Sequence, residues 1–232
     1  MAPTADQPRP APQLVEVQIA DEPSAWAGAG FIVTDDRVQI GPVALRLTGR
    51  SEAGPRGITG WTVSGLAIGD GLLDGLVTTL DPAHDVAAQT ASAAAQPPHP
   101  NGVTGIDHVV VLTPDLDRTI AACEVAALEL RRIRDTTSHG SPMRQAFFKL
   151  GPIVLEVVSG DIGSGRPAAE APATFFGLAL DVEDLDRTAA FLGEGLGPIK
   201  VAVQRGRRIA TVRHHQLDLS VSVAAMDHHG DR

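Results

Sequence analysis

The chain has 232 residues and a formal net charge of -9, with 19 Lys and Arg against 28 Asp and Glu. With no basic face, that balance excludes a nucleic-acid partner held by phosphate neutralisation, and a single cysteine, Cys123, excludes an internal disulfide framework. No apolar run reaches the roughly 18–20 residues that cross a bilayer, and the opening MAPTADQPRPAPQ lacks the basic head and apolar core of a signal peptide, so a soluble cytoplasmic protein is expected.

Residues 1–13 are rich in Pro and Ala and are expected to be disordered. A β-rich segment follows over 14–80. There LVEVQIADEPSAWAGAGF predicts a strand and a short helix, IGPVALRLTG (Ile40–Gly49) a turn and a strand, and GITGWTVSGL (Gly57–Leu66) a further strand with a buried Trp61. Residues 81–102, rich in Ala and Pro without core-forming periodicity, read as a linker. The segment 103–226 reads as one domain, and 227–232 as a polar tail.

That domain is internally repeated. IDHVVVL is a strand-like run that leads into DLDRT at Asp115, and GLALDV leads into a second DLDRT at Asp184, 69 residues later. Each first Asp is placed to cap a helix by accepting from its free N–H groups. Leu116, Ile120 and Cys123 in one copy, and Leu185, Ala189 and Leu192 in the other, follow at helical spacing. Three strand candidates come after each helix: LELRRIRD, RQAFFKL and IVLEVV, then IKVAVQR, RIATVRH and LDLSVSV. The expected fold class is therefore α+β, with βαβββ units at 103–160 and 173–225 forming curved mixed sheets. IGPVALRLTG echoes LGPIVLEVVSG, so 14–80 holds a degenerate copy of the unit. An odd number of units predicts that the unpaired one covers a sheet face or pairs across a homodimer.

Two βαβββ units, with His on the first strand, D-L-x-R-T opening the helix and Glu on the last strand, resemble the vicinal oxygen chelate superfamily. Glyoxalase I, extradiol dioxygenases, methylmalonyl-CoA epimerase and the bleomycin-resistance proteins belong to it. The resemblance implies a glyoxalase-like fold whose cup holds a divalent metal between the first and last strands of each unit.

Strand alternation puts Ile106, His108, Val110 and Leu112 on one side, and Val154, Glu156 and Val158 on one side. Under the resemblance, His108 and Glu156 project together as ligands for Zn, Fe, Mn or Ni. The second unit departs from the pattern. Aligned copies put Gly177 opposite His108 and Ser220 opposite Glu156, and Arg46 takes the Glu156 position in the N-terminal echo. Asp218, two residues before Ser220, is the candidate third ligand. His214 is a candidate base or substrate contact, and Glu156 a candidate catalytic carboxylate. Arg46, Phe147, Ser220 and His139, the last in a loop that reaches over the pocket, are candidate substrate-binding residues. His214 and His215, consecutive on a strand, are expected to point to opposite faces. The alternative reading of His108 and Glu156 is a hydrogen-bonded cross-strand pair lining a pocket.

Two functions follow. One is a metal-dependent enzyme of lyase, isomerase or dioxygenase type acting on a small oxygen-rich molecule. The other is a metal-free small-molecule-binding protein of the bleomycin-resistance type.

Overall fold

The computed structural model describes residues 10–138, 141–160 and 170–227. The N-terminal part begins with β1 (Gln13–Ile19), α1 (Pro23–Gly28), β2 (Arg37–Ile40) and β3 (Val43–Leu47). It continues with β4 (Ile58–Ser64), β5 (Gly71–Leu73) and β6 (Leu76–Leu80). A helix α2 (Val86–Ala94) leads to the first full unit: β7 (Val103–Leu112), α3 (Leu116–Val125), β8 (Glu129–Ser138), β9 (Ser141–Leu150) and β10 (Ile153–Gly160). The second comprises β11 (Thr174–Val182), α4 (Leu185–Leu192), β12 (Lys200–Val201), β13 (Arg208–Thr211) and β14 (Ser222–Asp227).

Both units place the first strand parallel to the last, giving the eight-stranded order β12-β13-β14-β11-β7-β10-β9-β8, with β7 and β11 antiparallel at the centre. This is the predicted curved mixed sheet of a glyoxalase-like fold. The N-terminal part repeats the scheme in shortened form. β1 runs parallel to β3, β4 runs parallel to β6, and β1 and β4 meet antiparallel in the order β2-β3-β1-β4-β6-β5. The segment 14–80 thus holds two abbreviated units, not one. The second has no helix between β4 and β5. No unit among the described residues is left unpaired, which removes the reason for expecting one to pair across a homodimer.

Turn chemistry sets the registers. Ile40-Gly41-Pro42-Val43 and Leu150-Gly151-Pro152-Ile153 close two-residue hairpins, with Gly41 and Gly151 at φ 54° and 69°. Positive φ at the first central residue followed by proline is the type II′ arrangement. Leu73-Asp74-Gly75-Leu76 has positive φ at both central residues, as a type I′ turn requires.

Helices α1, α3 and α4 pack on one side of the eight-stranded sheet, and the six-stranded sheet packs there too, in a single continuous core. Leu155 and Val157 of β10 and Val109 and Val111 of β7 are buried in it. So are Trp26 and Trp61, and Trp61 meets Phe175 edge-on at 5.4 Å. Cys123 lies in this core as expected, where burial, with the charges of Asp74 and Glu124, pushes its thiol pKa up to about 12.

The DLDRT phrase joins the layers. Asp115 and Asp184 cap their helices, accepting from Arg118 N at 3.0 Å and from Asp186 N and Arg187 N at 2.9 and 3.1 Å. Leu116 and Leu185 are buried. Asp117 and Asp186 pair with Arg144 of β9 and Arg208 of β13. The buried Thr119 hydroxyl meets the Asp74 carboxylate, which Arg118 also holds, and Thr188 donates to the Asn101 carbonyl. The stretch read as a linker is accordingly fixed at its end. His99 accepts from Ile32 N at 3.1 Å, and Asn101 donates to the Ala29 carbonyl.

Candidate functional site

The side of the eight-stranded sheet away from the helices carries His108, Val110 and Leu112 from β7, with Val154, Glu156 and Val158 from β10. Gln145 and Phe147 of β9 lie beside Val158 and Glu156. Ile106 is not on this face. Ala179 pairs with His108 and Leu180 with Ile106, so Asp107 is an extra residue in a β-bulge, and Ile106 turns into the core. Bulges re-aim side chains next to functional sites. Here the bulge lets two consecutive residues, Asp107 and His108, meet on one side.

The resulting chain of contacts is short. Asp107 Oδ2 lies 2.6 Å from His108 Nδ1, and His108 Nε2 lies 3.3 Å from Glu156 Oε2. Gln145 Nε2 donates to the other Glu156 oxygen. Arg207, only 4% exposed, comes from the β12–β13 loop of the second unit. It donates to Asp107, to Asp181 and, at 2.7 Å, to the Asp227 carbonyl. Burial opposes ionisation of Asp107, but the hydrogen bonds from His108 and Arg207 overcome it and hold its pKa down at about 2.

The geometry demands a positive species. Ionised Asp107 fixes a proton on Nδ1 of His108. A neutral ring then turns the Nε2 lone pair toward the Glu156 carboxylate, setting two acceptors face to face. Asp107 and Asp181 share the Arg207 guanidinium, while Glu156 lies on the other side of the imidazole. A proton on Nε2 or a cation shared by Nε2 and Oε2 relieves the conflict. Donors 3.3 Å apart subtend roughly 100° at an ion about 2.1 Å from each, an angle near tetrahedral, so the pair fits two adjacent corners of a metal site. The buried Gln145 Oε1 is the one buried side-chain polar atom without a hydrogen-bond partner among the described residues, which makes it an acceptor open to a ligand. Among the described residues no group of three or more His, Cys, Asp or Glu is placed to hold a metal ion.

The other expected residues lie elsewhere. His214–Leu217 forms a 3-10 turn ended by Asp218 in the left-handed region at φ 57°, and β14 starts only at Ser222. The strand pairings therefore put Ala224, not Ser220, opposite Glu156 in the repeat. Asp218 leaves the ligand set and pairs with Arg50. Ser220 accepts from Gly57 N, and its own N–H donates to the buried Asp21. His214 and His215 do not point to opposite faces, because in a 3-10 turn their rings meet at 4.0 Å, tilted by 45°. Burial and then the neighbouring His215 charge lower the His214 pKa. Arg46 is exposed on the six-stranded sheet, beside Gln18 and Arg37. His139 falls outside the described residues. Phe147 lies beside Glu156 on this face, with Arg132 over its ring 4.8 Å from the centre, while Phe148 is wholly buried.

Gly177 keeps the second unit without a histidine for a packing reason. A Cβ there would run into the Ser222 carbonyl. Asp107, Gln145 and Arg207 escaped the sequence reading. The only signal for Asp107 was its place beside His108, and nothing local marked the other two.

No family model matches the sequence, and no curated protein is detectably similar to it. Solved structures are. A triple mutant of 4-hydroxymandelate synthase from Streptomyces coelicolor is 14% identical, with 96% of this chain and 94% of that one covered and a TM-score of 0.63. A xylose isomerase-like TIM barrel/4-hydroxyphenylpyruvate dioxygenase fusion protein is 12% identical over 97% of this chain and 51% of its own, with a TM-score of 0.59. An extradiol ring-cleaving dioxygenase from B. fuscum is 12% identical over 95% and 73%, with a TM-score of 0.53.

Proposed function

We propose that this chain, which has the vicinal oxygen chelate fold, is an enzyme acting on a small oxygen-rich molecule at its concave face, with a divalent cation held by His108 and Glu156. The observation that carries the reading is the Asp107–His108–Glu156 line, in which a hydrogen bond from Nδ1 to Asp107 aims Nε2 at a carboxylate oxygen 3.3 Å away. A carboxylate behind a histidine is the usual second contact of a metal-bound imidazole, fixing its tautomer and raising its basicity. Gln145 turns Glu156 so that Oε2 faces His108, and its own free oxygen is a third donor for the ion, a water or a substrate hydroxyl. A bound cation would polarise a substrate oxygen and stabilise enolate-like charge. Phe147 and Val110 flank Glu156 on the neighbouring strands, and Glu156 is the carboxylate placed to exchange a proton with the substrate. Zn, Fe, Mn and Ni all accept such a donor set, and the fold alone does not choose among lyase, isomerase and dioxygenase chemistry.

Metal analysis of protein purified without a histidine tag, after dialysis against each ion, tests the reading. One equivalent in the wild type and none in His108→Ala is the expected result. A wild type that takes up no ion overturns it in favour of a metal-free ligand-binding protein.

A further inference from the structure

We propose that the concave face has a second subsite, at the outer end of the second unit, that binds the carboxylate or phosphate group of a small molecule. The proposal deepens the reading above by giving the substrate an anionic end, and it rests on that reading for the location of the reacting end. A cavity of about 510 Å³ is lined there by Lys200, Arg213, His214, His215, Thr211 and Gln216, with no carboxylate in its wall. On a chain of net charge -9 such a hollow is an exception.

Its cations are also free to act. Arg50, Arg118, Arg144, Arg207 and Arg208 are each paired with a carboxylate. Among the described residues Lys200 and Arg213 have no ion pair. Arg213 donates one Nη1 to the Glu194 carbonyl at 2.8 Å, which steadies the fork and leaves its other N–H groups for a ligand. His215 adds an N–H donor beside the His214 ring, which is itself bonded to the Val212 backbone. Asp21, whose charge reaches His214, is already engaged by Arg50, Trp26 and Ser220 N.

The strand register ties this hollow to the candidate centre. Thr211 pairs with Ala224, Ala224 with Ala179, and Ala179 with His108, so the four lie in one row across neighbouring strands. Three strand spacings separate the ends, roughly 14 Å along the sheet. The neighbouring row, Ser222, Gly177, Val110 and Glu156, also starts with small residues. The second unit, which supplies no metal donor, thus offers a low floor between a cationic hollow and the His108–Glu156 pair. A molecule with an anionic group at one end and an oxygen function at the other fits that layout.

Line broadening of inorganic phosphate (31P) and of 13C-labelled succinate, measured with the full chain in the presence of a chelator, tests the subsite and separates the two anion classes. Broadening of at least one probe by the wild type is expected. Binding should be roughly tenfold weaker in Lys200→Glu and in Arg213→Gln, and unchanged in His108→Ala. Both basic-site variants alter exposed side chains, and Arg213→Gln keeps a donor for Glu194, so circular dichroism should match the wild type. Absence of broadening with both probes, equal broadening in both basic-site variants, or loss in His108→Ala overturns the proposal. A protein that binds the anion but never takes up metal leaves the subsite standing and sinks the cation reading alone.

Discussion

Asp107 does the most for its size, because both of its oxygens are engaged, one by His108 and one by Arg207. Its folded-state pKa of about 2 lies below the ordinary 3.8. A depressed carboxylate contributes stability that is complete above its unfolded pKa and is lost as pH falls through the folded one. The contribution is about 2 kcal/mol, and it should vanish between about pH 4 and pH 2. Urea titrations at stepped pH should therefore show the wild type losing more stability over this window than Asp107→Asn. The same substitution should weaken cation affinity about 10- to 100-fold, read by chelator competition, since it removes the acceptor that orients the imidazole. Equal affinities would mean that the bulge merely accommodates strand twist. Away from the site, Asp21 is a wholly buried carboxylate that accepts hydrogen bonds from Trp26, Arg50 and the backbone of Ser220.

At the scale of elements, the repeat was readable because capping chemistry is local. An aspartate before a Leu-x-x-Thr turn declares a helix start wherever it occurs, and both caps formed; each contributes about 1 kcal/mol. The last strand misled for an equally local reason. LDLSVSV alternates as a strand should, yet Asp218 adopts a left-handed conformation and closes a 3-10 turn, so pairing begins at Ser222. That shift moved Ala224 into the expected ligand position and took Asp218 out of the site. The β7 bulge was invisible for a related reason, since a periodicity of two cannot show where one residue is skipped. Gly177 tests the observed register. Its Ala variant should lose about 3 kcal/mol in equilibrium unfolding, because the new methyl meets the Ser222 backbone. A neutral result would show that β11 and β14 do not approach as closely as they do here.

The whole molecule is two sheets that share one core with α1, α3 and α4, and the arrangement explains what the chain could not announce. The second abbreviated unit, β4 to β6, lacks the helix that would have marked it, and the Asp74-Gly75 hairpin was its one local signal. Because one core spans both sheets and Asp74, Asn101 and Asp21 tie them together, the layers should unfold together. Trp26 and Trp61 both sit in the N-terminal part, so tryptophan fluorescence and far-ultraviolet dichroism should give coincident thermal transitions. Separated transitions would mean that the sheets are independent. The central claim is that one imidazole and one carboxylate of the first full unit hold a cation on the open face of the larger sheet. Anomalous scattering from a crystal soaked in manganese tests it most directly. The account predicts a peak about 2 Å from both His108 Nε2 and Glu156 Oε2; a peak elsewhere, with that pair bridged only by its own proton, would contradict it.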